Sequence, residues 1–539
     1  MKRLTYIIIC LLGMAAAQAQ EVKERIWVQT DKDFYLAGER MGLKLFTTDA
    51  QGKPQEYSRV AYVELLGDRE NAVRLKVEVD DATGEGFMQL PHTLASGVYD
   101  LVAYTRWMRN EGEQAFFRRP VGVFNSLRYL SDTDGIVLAG GEAPAHAAWT
   151  AHDGIPVRTD KPEYGNRETV KLNLEGIPED ALLSVSVVRR DVALENTAVS
   201  PLPAETGGKP DRMYRPELEG LIIEARLKGE EDNTWIVRPN LTIQGDYIRY
   251  YAGQQAADGS VHFHTTSLQG VTEVVTATSG AGYLQPVSPF VATPPAQMRP
   301  LTLYGQYEKP LTERSLALQA AAYYYPKSPQ EPVLPEDRLV RAAPKWVYHL
   351  DDYKRFPTFE ETFVEFMPCV KTIGTKGSRR IVAFDAETQT SGNGNSLVLL
   401  DGVAVMDHEL LLDYNPYLVK SVEVYAEDFV FGDQLYNGIL FVKTPNCNLS
   451  GFTLPNTSVV HEYEGVQAAA IYRKPSVGNK VQRHQPDFRH TLYWNGHVTG
   501  KDKQLEWRTS DMCGTYLVKV EGRTADGKTI RGYTSFEVK

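Results

Sequence analysis

Cysteine is scarce in this chain. Its 539 residues include four cysteines, Cys10, Cys369, Cys447 and Cys513, and the first lies in an N-terminal segment that we expect to be removed. The odd number that remains leaves at least one thiol unpaired. Cys369 and Cys447 fall in one predicted domain, and they either form a disulfide or, like Cys513, are small buried apolar side chains. Their spacing fits no metal-binding motif.

Excess positive charge and long internal apolar runs are also missing. Lys and Arg number 58 against 69 Asp and Glu, so the formal net charge is −11. No basic stripe is present, which argues against nucleic acid or an anionic lipid surface as the partner. After the N-terminal segment no stretch approaches the roughly 18 consecutive apolar residues of a membrane helix, so we expect no transmembrane span.

Known catalytic and cofactor-binding motifs are absent as well. The sequence has no Gly-x-Ser-x-Gly elbow, no His-Glu-x-x-His, no Walker loop and no dinucleotide fingerprint. His262 and His264 share one face of a predicted strand, a spacing that can hold zinc, but no third ligand stands nearby. We therefore expect no catalytic residue, no metal and no cofactor, and interpret the pair as a solvated strand face.

The N-terminus is typical of an exported protein. MKRLTYIIICLLGMAAAQAQ has a basic start, an apolar centre and an Ala-Gln-Ala cleavage site, which predicts a signal peptide over residues 1–19. Ile9 stands where a lipoprotein signal needs a small residue before Cys10, so lipidation is not expected. The predicted location is the periplasm or the outer membrane, with the cell surface left open.

Alternating apolar and polar residues dominate the remaining sequence. Examples are RVAYVELL (59–66), GVYDLVAYTRW (97–107), LLSVSVVRR (182–190) and GTYLVKVEG (514–522). A period of two, interrupted by Gly, Asp and Asn turns, is typical of antiparallel sandwiches. The predicted fold class is therefore mainly β.

One strand–turn–strand pattern occurs twice. VQTDKDFYLAGERMGLKL (28–45) aligns without a gap with VRTDKPEYGNRETVKLNL (157–174). The Asp favours a turn by bonding its own backbone, and the Tyr ring packs into a sandwich with its hydroxyl at the rim. The shared positions include Thr30/Thr159, Asp31/Asp160, Lys32/Lys161, Tyr35/Tyr164 and Glu39/Glu168. The repeat predicts two sandwich domains in series.

This motif resembles the opening of the macroglobulin-like domains of the alpha-2-macroglobulin family, in which Thr-Asp-Lys-Pro-x-Tyr is followed by Gly-Glu. The second copy has Pro162, whereas the first has Asp33 there but keeps Gly38 and Glu39. The family's Cys-Gly-Glu-Gln thioester is absent. The resemblance implies serial macroglobulin or Ig-like β-sandwiches, which we place at 20–125, 126–212, 213–325 and 486–539. The third would include a helix over 312–325 with Thr312 as its N-cap.

Residues 326–448 interrupt the β pattern. Thr358 and Glu361 have capping-box spacing, which predicts a short helix that Pro368 ends. The segments SLVLLDGVAV (396–405), YNPYLVKSVEVY (414–425) and FGDQLYNGILFVKTP (431–445) resemble the plug domain of TonB-dependent outer-membrane receptors. That resemblance implies a small α+β domain whose turns fit a partner, with the candidate docking residues Asp401, Gly402, Asn415, Pro416, Gly432, Asn437 and Gly438.

The predicted function is binding without catalysis. A receptor plug is followed by a barrel, and the remaining sequence is too short for one, so we expect an envelope adaptor that docks to an envelope protein, with an outer-membrane barrel as one candidate. Residues 449–485 are interpreted as a polar connector. Two alternatives stay open: non-covalent protease capture with 449–485 as bait, and a surface protein exported with a C-terminal sorting sandwich over 486–539.

Overall fold

The computed structural model describes residues 22–68, 70, 72–128, 135–141, 155–190, 212–229, 236–266, 268–324, 340–387, 395–467 and 486–539. The predicted signal peptide lies outside the described residues, as do residues 468–485 of the predicted connector. Within the described ranges, no helix combines the length and apolarity needed to cross a bilayer.

Strands far outnumber helices along the chain. Residues 22–190 contain β1 (Glu24–Thr30), β2 (Phe34–Leu36), β3 (Arg40–Asp49), β4 (Val60–Leu66), β5 (Ala72–Asp80), β6 (Thr83–Gln89), β7 (Gly97–Thr105), β8 (Phe117–Phe124), β9 (Ile136–Ala139), β10 (Val157–Thr159), β11 (Glu163–Tyr164), β12 (Thr169–Leu174) and β13 (Leu182–Arg189). Residues 212–324 contain β14 (Ile222–Lys228), β15 (Asn240–Ile243), β16 (Tyr250–Gln255), β17 (Val261–His264), β18 (Val271–Ala277), β19 (Tyr283–Pro286), β20 (Leu301–Tyr304) and helix α1 (Glu308–Tyr324). Residues 340–539 contain β21 (Trp346–His349), helix α2 (Phe359–Phe366), β22 (Val370–Ile373), β23 (Arg380–Ala383), β24 (Leu397–Leu400), β25 (Val403–Ala404), helix α3 (His408–Leu412), β26 (Ser421–Phe431), β27 (Gln434–Lys443), β28 (Ser458–Glu464), β29 (Thr491–Thr499), β30 (Gln504–Arg508), β31 (Gly514–Arg523) and β32 (Thr529–Val538).

The fold class is mainly β, as predicted, and the chain forms two compact units. Unit 1 comprises Met1–Pro216, Ala292–Pro329 and Ala469–Lys539, and unit 2 comprises Glu217–Val291 and Gln330–Ala468. Each unit is therefore assembled from segments that are far apart in the sequence.

The first sandwich of unit 1 contains β1 to β8. Its strands follow the order β1-β3-β6-β5-β4-β7-β8-β2. β1 pairs with β3 in the antiparallel register Thr30↔Leu43, and the short β2 pairs in parallel with β8. This sandwich lies within the predicted domain 20–125.

The second sandwich of unit 1 combines strands from two distant segments. One sheet has the order β10-β12-β30 and the other β11-β32-β31-β13-β29. β13 pairs with both β29 and β31, with Val185 opposite Val520 in the latter. The strands of 157–189 cannot bury their apolar faces alone, so those of 491–538, predicted as a separate C-terminal sandwich, complete this one.

The repeated motif forms the same hydrogen-bond network in both copies. In the first, the buried Tyr35 hydroxyl donates to Asp31 Oδ1 (2.6 Å), which also accepts from the Gly42 amide (2.8 Å). In the second, the Tyr164 hydroxyl donates to Asp160 Oδ1 (2.7 Å), and the amide of Lys171 donates to the same oxygen (2.8 Å).

A parallel pairing follows the motif in each copy. β2 lies beside β8, with Tyr35 opposite Val123, and β11 lies beside β32, with Tyr164 opposite Val538. β8 follows its motif within the same segment, whereas β32 is the C-terminal strand of the chain. The second copy therefore finds its closing strand far along the sequence.

Helix α1 differs from the prediction in both start and location. It begins at Glu308 rather than 312, and the Thr312 hydroxyl donates to the Glu308 carbonyl (2.8 Å) inside the helix, so Thr312 is not the N-cap. Pro310 suits this first turn because proline has no backbone N–H, and the residues of a first helical turn need no intrahelical donor. The helix belongs to unit 1, where Arg314 binds Glu39 of the first sandwich.

Unit 2 contains a sheet of seven strands in the order β19-β14-β17-β16-β15-β18-β28. Its last strand, β28, lies in the segment predicted as a connector. It pairs antiparallel with β18, with Val275 opposite Val460, because β18 would otherwise leave one edge of the sheet open.

The rest of unit 2 is an α+β structure, as predicted for residues 326–448. Its mixed sheet has the order β21-β26-β27-β24-β25, in which β24 and β27 are parallel. Helix α2 is capped by Thr358, whose Oγ1 accepts from the Glu361 amide (3.2 Å), and it ends before Pro368. The predicted capping box is confirmed at its N-cap.

The three cysteines of the described chain are all unpaired. Cys369 is buried, with its Sγ 3.3 Å from the Tyr348 hydroxyl, whereas Cys447 Sγ lies 2.9 Å from Asp246 Oδ1. Because each thiol has its own separate surroundings, the alternative of a disulfide between Cys369 and Cys447 is not realised.

Candidate docking surfaces

Asp401 and Gly402 form the turn after β24. The buried Asp401 carboxylate accepts hydrogen bonds from the amide and hydroxyl of Thr444 (2.7 Å each) and from the Leu449 amide (2.7 Å). Gly402 has φ +86°, and a Cβ there would stand 2.7 Å from the Ile243 carbonyl oxygen. These contacts are internal, so the two residues fix a turn in the interior of unit 2.

Asn415 and Pro416 begin a single 3-10 turn over 416–418. Asn415 Oδ1 accepts from the Tyr417 amide (3.0 Å), and the buried Pro416 occupies the first position of the turn. One turn of helix cannot bury side chains on three sides. Tyr417 and Leu418 consequently keep 55% and 40% of their surface exposed.

Gly432 and Asp433 connect β26 to β27 in a tight hairpin. Gly432 has φ +60°, a value that glycine adopts without steric cost. The cross-strand partners Val430 and Leu435 flank this turn and are 70% and 48% exposed. We call residues 430–435 the hairpin tip.

Asn437 and Gly438 lie within β27 rather than in a turn, opposite an irregularity in β26. The pairing shifts between Tyr425 and Asp428, and Asn437 Nδ2 donates to Asp428 Oδ1 (2.7 Å). Gly438 has φ +87°, and a Cβ there would approach the Tyr425 carbonyl oxygen to 2.9 Å. This pair shapes the bulge that gives the hairpin its course.

An aromatic surface lies beside the Asn415–Pro416 turn. Arg355 Nη1 donates to the carbonyls of Pro416 (3.0 Å) and Val419 (2.9 Å), which holds the segment around residue 355 against the turn. In that segment Tyr353 stacks on Phe366 of α2, with ring centroids 4.3 Å apart. We define the aromatic face as Tyr353, Phe366, Tyr417 and Leu418.

Acidic side chains surround the aromatic face. Asp351 is 83% exposed and pairs with Arg355 (2.6 Å), while Asp352, Glu361 and Glu365 are also exposed. Lys354 is the exposed basic residue between 351 and 365. The surface combines apolar contact area with a negative rim.

The sequence predicts the turns but not the exposed side chains beside them. Tyr417 and Leu418 could have been found from the sequence Asn-Pro-Tyr-Leu, since a capped turn this short leaves its apolar residues in solvent. No comparable local signal marks Tyr353, because its exposure depends on where α2 packs.

The two histidines of β17 do not come together as a site. His262 is half-buried, with its Nε2 3.2 Å from Ser260 Oγ and 3.8 Å from Glu224 Oε2, whereas His264 is exposed. Their side chains point along one face of the strand, as predicted. Across the described ranges, no three His, Cys, Asp or Glu side chains are grouped so that they could hold a metal.

Comparisons with known proteins give only remote similarity. No protein-family model matches the chain, and no curated protein matches it. Among solved structures, Escherichia coli alpha-2-macroglobulin activated by porcine elastase is 11% identical with a TM-score of 0.25, covering 96% of this chain and 44% of that one. A Salmonella alpha-2-macroglobulin mutant is 10% identical with a TM-score of 0.24, covering 97% and 40%. The Escherichia coli adhesin FdeC is 13% identical with a TM-score of 0.16, covering 50% and 66%. The chain thus spans less than half the length of these macroglobulins, and at such TM-scores the similarities assign neither fold nor function.

Proposed function

We propose that this chain is an exported, non-catalytic adaptor of the cell envelope that docks onto an envelope protein through the α+β part of unit 2. The observation that carries this proposal is the aromatic face, whose Tyr353, Tyr417 and Leu418 are exposed although the backbone that supports them is fixed. Arg355 and the Asn415 cap hold the backbone in place, so the exposed rings lose little conformational entropy on binding.

The chemistry of this surface favours a protein partner. Aromatic side chains with a polar rim are typical of protein interfaces, and tyrosine is enriched among residues whose truncation costs most binding energy. The negative rim at Asp351, Asp352 and Glu365 favours a partner surface with basic residues, because opposite charges speed encounter and fix orientation. The exposed pair Val430 and Leu435 at the hairpin tip offers a second apolar contact.

The resemblances seen in the sequence suggest how the protein is organised. Macroglobulin-like sandwiches would be the scaffold, and the plug-like unit would be the docking module. An outer-membrane barrel protein is one partner of this kind. Export rests on the signal-peptide pattern of residues 1–19.

The two alternatives have weaker support. Bait cleavage needs an accessible segment, yet Ser458–Glu464 of the proposed bait is paired in a sheet as β28. A removable sorting domain needs an independent fold, yet β31 covers one edge of β13 and forms part of its core. Removing 486–539 would expose Val185 and Leu183 of the second sandwich.

A cross-linking experiment tests the adaptor proposal. A tagged chain is cross-linked in intact cells, and the proteins recovered with it are identified. Replacing Tyr417 and Leu418 together by Ser is expected to reduce recovery of the main envelope partner at least tenfold, since loss of such anchors costs about 2 kcal/mol or more. Leu316→Ser, at a 61% exposed position of α1 in unit 1, is the matched control.

Two outcomes would contradict the proposal. Unchanged recovery with the double variant would show that the aromatic face is not the docking surface. Recovery of a protease bound to a chain cut once within 449–485 would favour capture instead.

A further inference from the structure

A cavity of 210 Å³ lies within unit 1, where the first and second sandwiches meet. Its apolar wall includes Phe46 and Leu182, and the first sandwich adds Thr47 and Thr83. Drug-sized ligands occupy pockets of roughly 300–1,000 Å³, so this cavity suits a smaller molecule. It is separate from the aromatic face and the hairpin tip, which belong to unit 2.

One wall of the cavity carries a cation without a counter-ion. Arg523 Nη1 donates to the Gly52 carbonyl (3.0 Å), and its guanidinium lies 5.1 Å from the centroid of the Trp27 ring. Its Nε is buried and has no hydrogen-bond partner, and no described carboxylate pairs with it. A buried N–H of this kind normally finds an acceptor. Burial and the charge of Arg531 lower the pKa of Arg523, as expected for a cation without a neutralising partner.

Two carboxylates line the same cavity. Asp81 and Asp180 are both exposed, and neither forms a hydrogen bond or ion pair with any residue in the described ranges. Asp81 and Ala82 both adopt positive φ, 49° and 58°, in the turn between β5 and β6. Asp80 pairs with Thr83 across this two-residue loop, and positive φ at both central residues is what a type I′ hairpin turn requires. This hairpin turn brings an exposed carboxylate to the cavity.

We propose that this cavity binds a small zwitterion, an amino acid or a dipeptide, whose carboxylate contacts Arg523 and whose ammonium group contacts Asp81 or Asp180. A guanidinium can hold a carboxylate through two parallel hydrogen bonds. An inorganic anion would leave both aspartates unpaired, and a simple cation would be repelled by Arg523. Phe46 and Leu182 supply apolar contact for a small side chain.

Titration calorimetry on the full-length mature chain tests this assignment with four probes: L-alanine, L-alanyl-L-alanine, N-acetyl-L-alanine and L-alaninamide. We expect one or both zwitterions to bind, and the two singly charged compounds to bind at least tenfold more weakly. Comparing the first two probes distinguishes an amino-acid site from a dipeptide site.

Variants separate binding from folding. Arg523→Gln and the double variant Asp81→Asn with Asp180→Asn are each expected to weaken zwitterion binding at least tenfold, while Arg508→Gln, at an exposed arginine outside the cavity, leaves it unchanged. Neither aspartate has a described partner, so the double variant keeps the test valid even if Arg523→Gln impairs folding. No heat of binding with either zwitterion at millimolar concentration, equal affinity for N-acetyl-L-alanine, or full affinity in Asp180→Asn together with Asp81→Asn would overturn the proposal.

Discussion

The repeated motif provides a prediction with an internal control, because its glutamate is buried in one copy and exposed in the other. Glu39 receives two hydrogen bonds from Arg314 (2.8 and 2.7 Å) and an ion pair from Lys32 (2.9 Å). Arg314 is only 2% exposed. Glu168, the equivalent residue, is 36% exposed and, among the charged groups of the described residues, pairs with Lys161.

Glu39→Gln removes the negative charge and leaves Arg314 buried without a counter-ion. Breaking a buried ion pair from one side costs about 3–5 kcal/mol. The lower end of that range applies, because the new amide oxygen still accepts a hydrogen bond from Arg314. Glu168→Gln is expected to change stability little, since exposed pairs are screened by water.

Thermal unfolding followed by tryptophan fluorescence measures the difference, because Trp27, Trp494 and Trp507 all lie in unit 1. A loss of about 3 kcal/mol corresponds to a fall in Tm of roughly 4–6 °C for a unit of this size. Equal shifts for Glu39→Gln and Glu168→Gln, or no shift for either, would refute the reasoning.

The effect of Glu39 also depends on pH in a defined direction. Burial alone would raise its pKa, but the charges of Arg314 and Lys32 outweigh burial and hold the pKa well below the ordinary 4.5. A carboxylate with a depressed pKa stabilises the fold above its unfolded pKa and loses this contribution as pH falls towards the folded pKa. The difference between wild type and Glu39→Gln should therefore be constant above pH 5 and shrink below about pH 4.5.

Three further predictions concern unit 2. Burial, with the nearby charges of Arg380 and Arg238, lowers the pKa of His408 to about 4, and its Nδ1 accepts a hydrogen bond from the Ile381 amide (3.0 Å). Because the unfolded chain binds this proton more tightly than the folded one, the free energy of unfolding of unit 2 should fall by up to about 3 kcal/mol between pH 6.5 and 4. His408→Gln should flatten that part of the profile in urea titrations, and an unchanged profile would contradict the assignment. Asp401→Ala should lower the free energy of unfolding by about 3 kcal/mol or more, because it leaves the amides of Thr444 and Leu449 without an acceptor. The loss should appear as faster amide hydrogen exchange in residues 444–449, and protection equal to that of the wild type would contradict it. Gly402→Ala should lower the Tm of unit 2 clearly more than Gly451→Ala, since both have positive φ but only the Cβ at 402 would meet backbone atoms, at 2.7 Å; equal effects would show that conformation alone matters.

Local sequence patterns predict the elements well where the decisive interactions are local. The alternation in 59–66 and 182–190 corresponds to β4 and β13, and Thr358 caps α2 as its spacing indicates. The predicted start of the helix near 312 is wrong, because Pro310 belongs to the first turn of that helix. Asp401, Gly402, Asn415, Pro416 and Gly432 do lie in or beside turns, whereas Asn437 and Gly438 lie within β27. Packing decides which neighbouring side chains stay exposed.

By itself the sequence determined the mainly β class, the duplicated Asp–Tyr motif and the turns at Asp401–Gly402 and Asn415–Pro416, since each depends on residues within a few positions of one another. It did not determine that Asn437 and Gly438 lie within a strand. The tertiary structure decided which strands close each sheet: β32 beside β11, β31 beside β13, and β28 beside β18. An open strand edge pairs with whichever strand the folded chain brings to it, and no local pattern encodes that partner. Packing of distant strands likewise places Arg523 at one cavity with Asp81 and Asp180, although more than half of the chain separates Arg523 from the two aspartates.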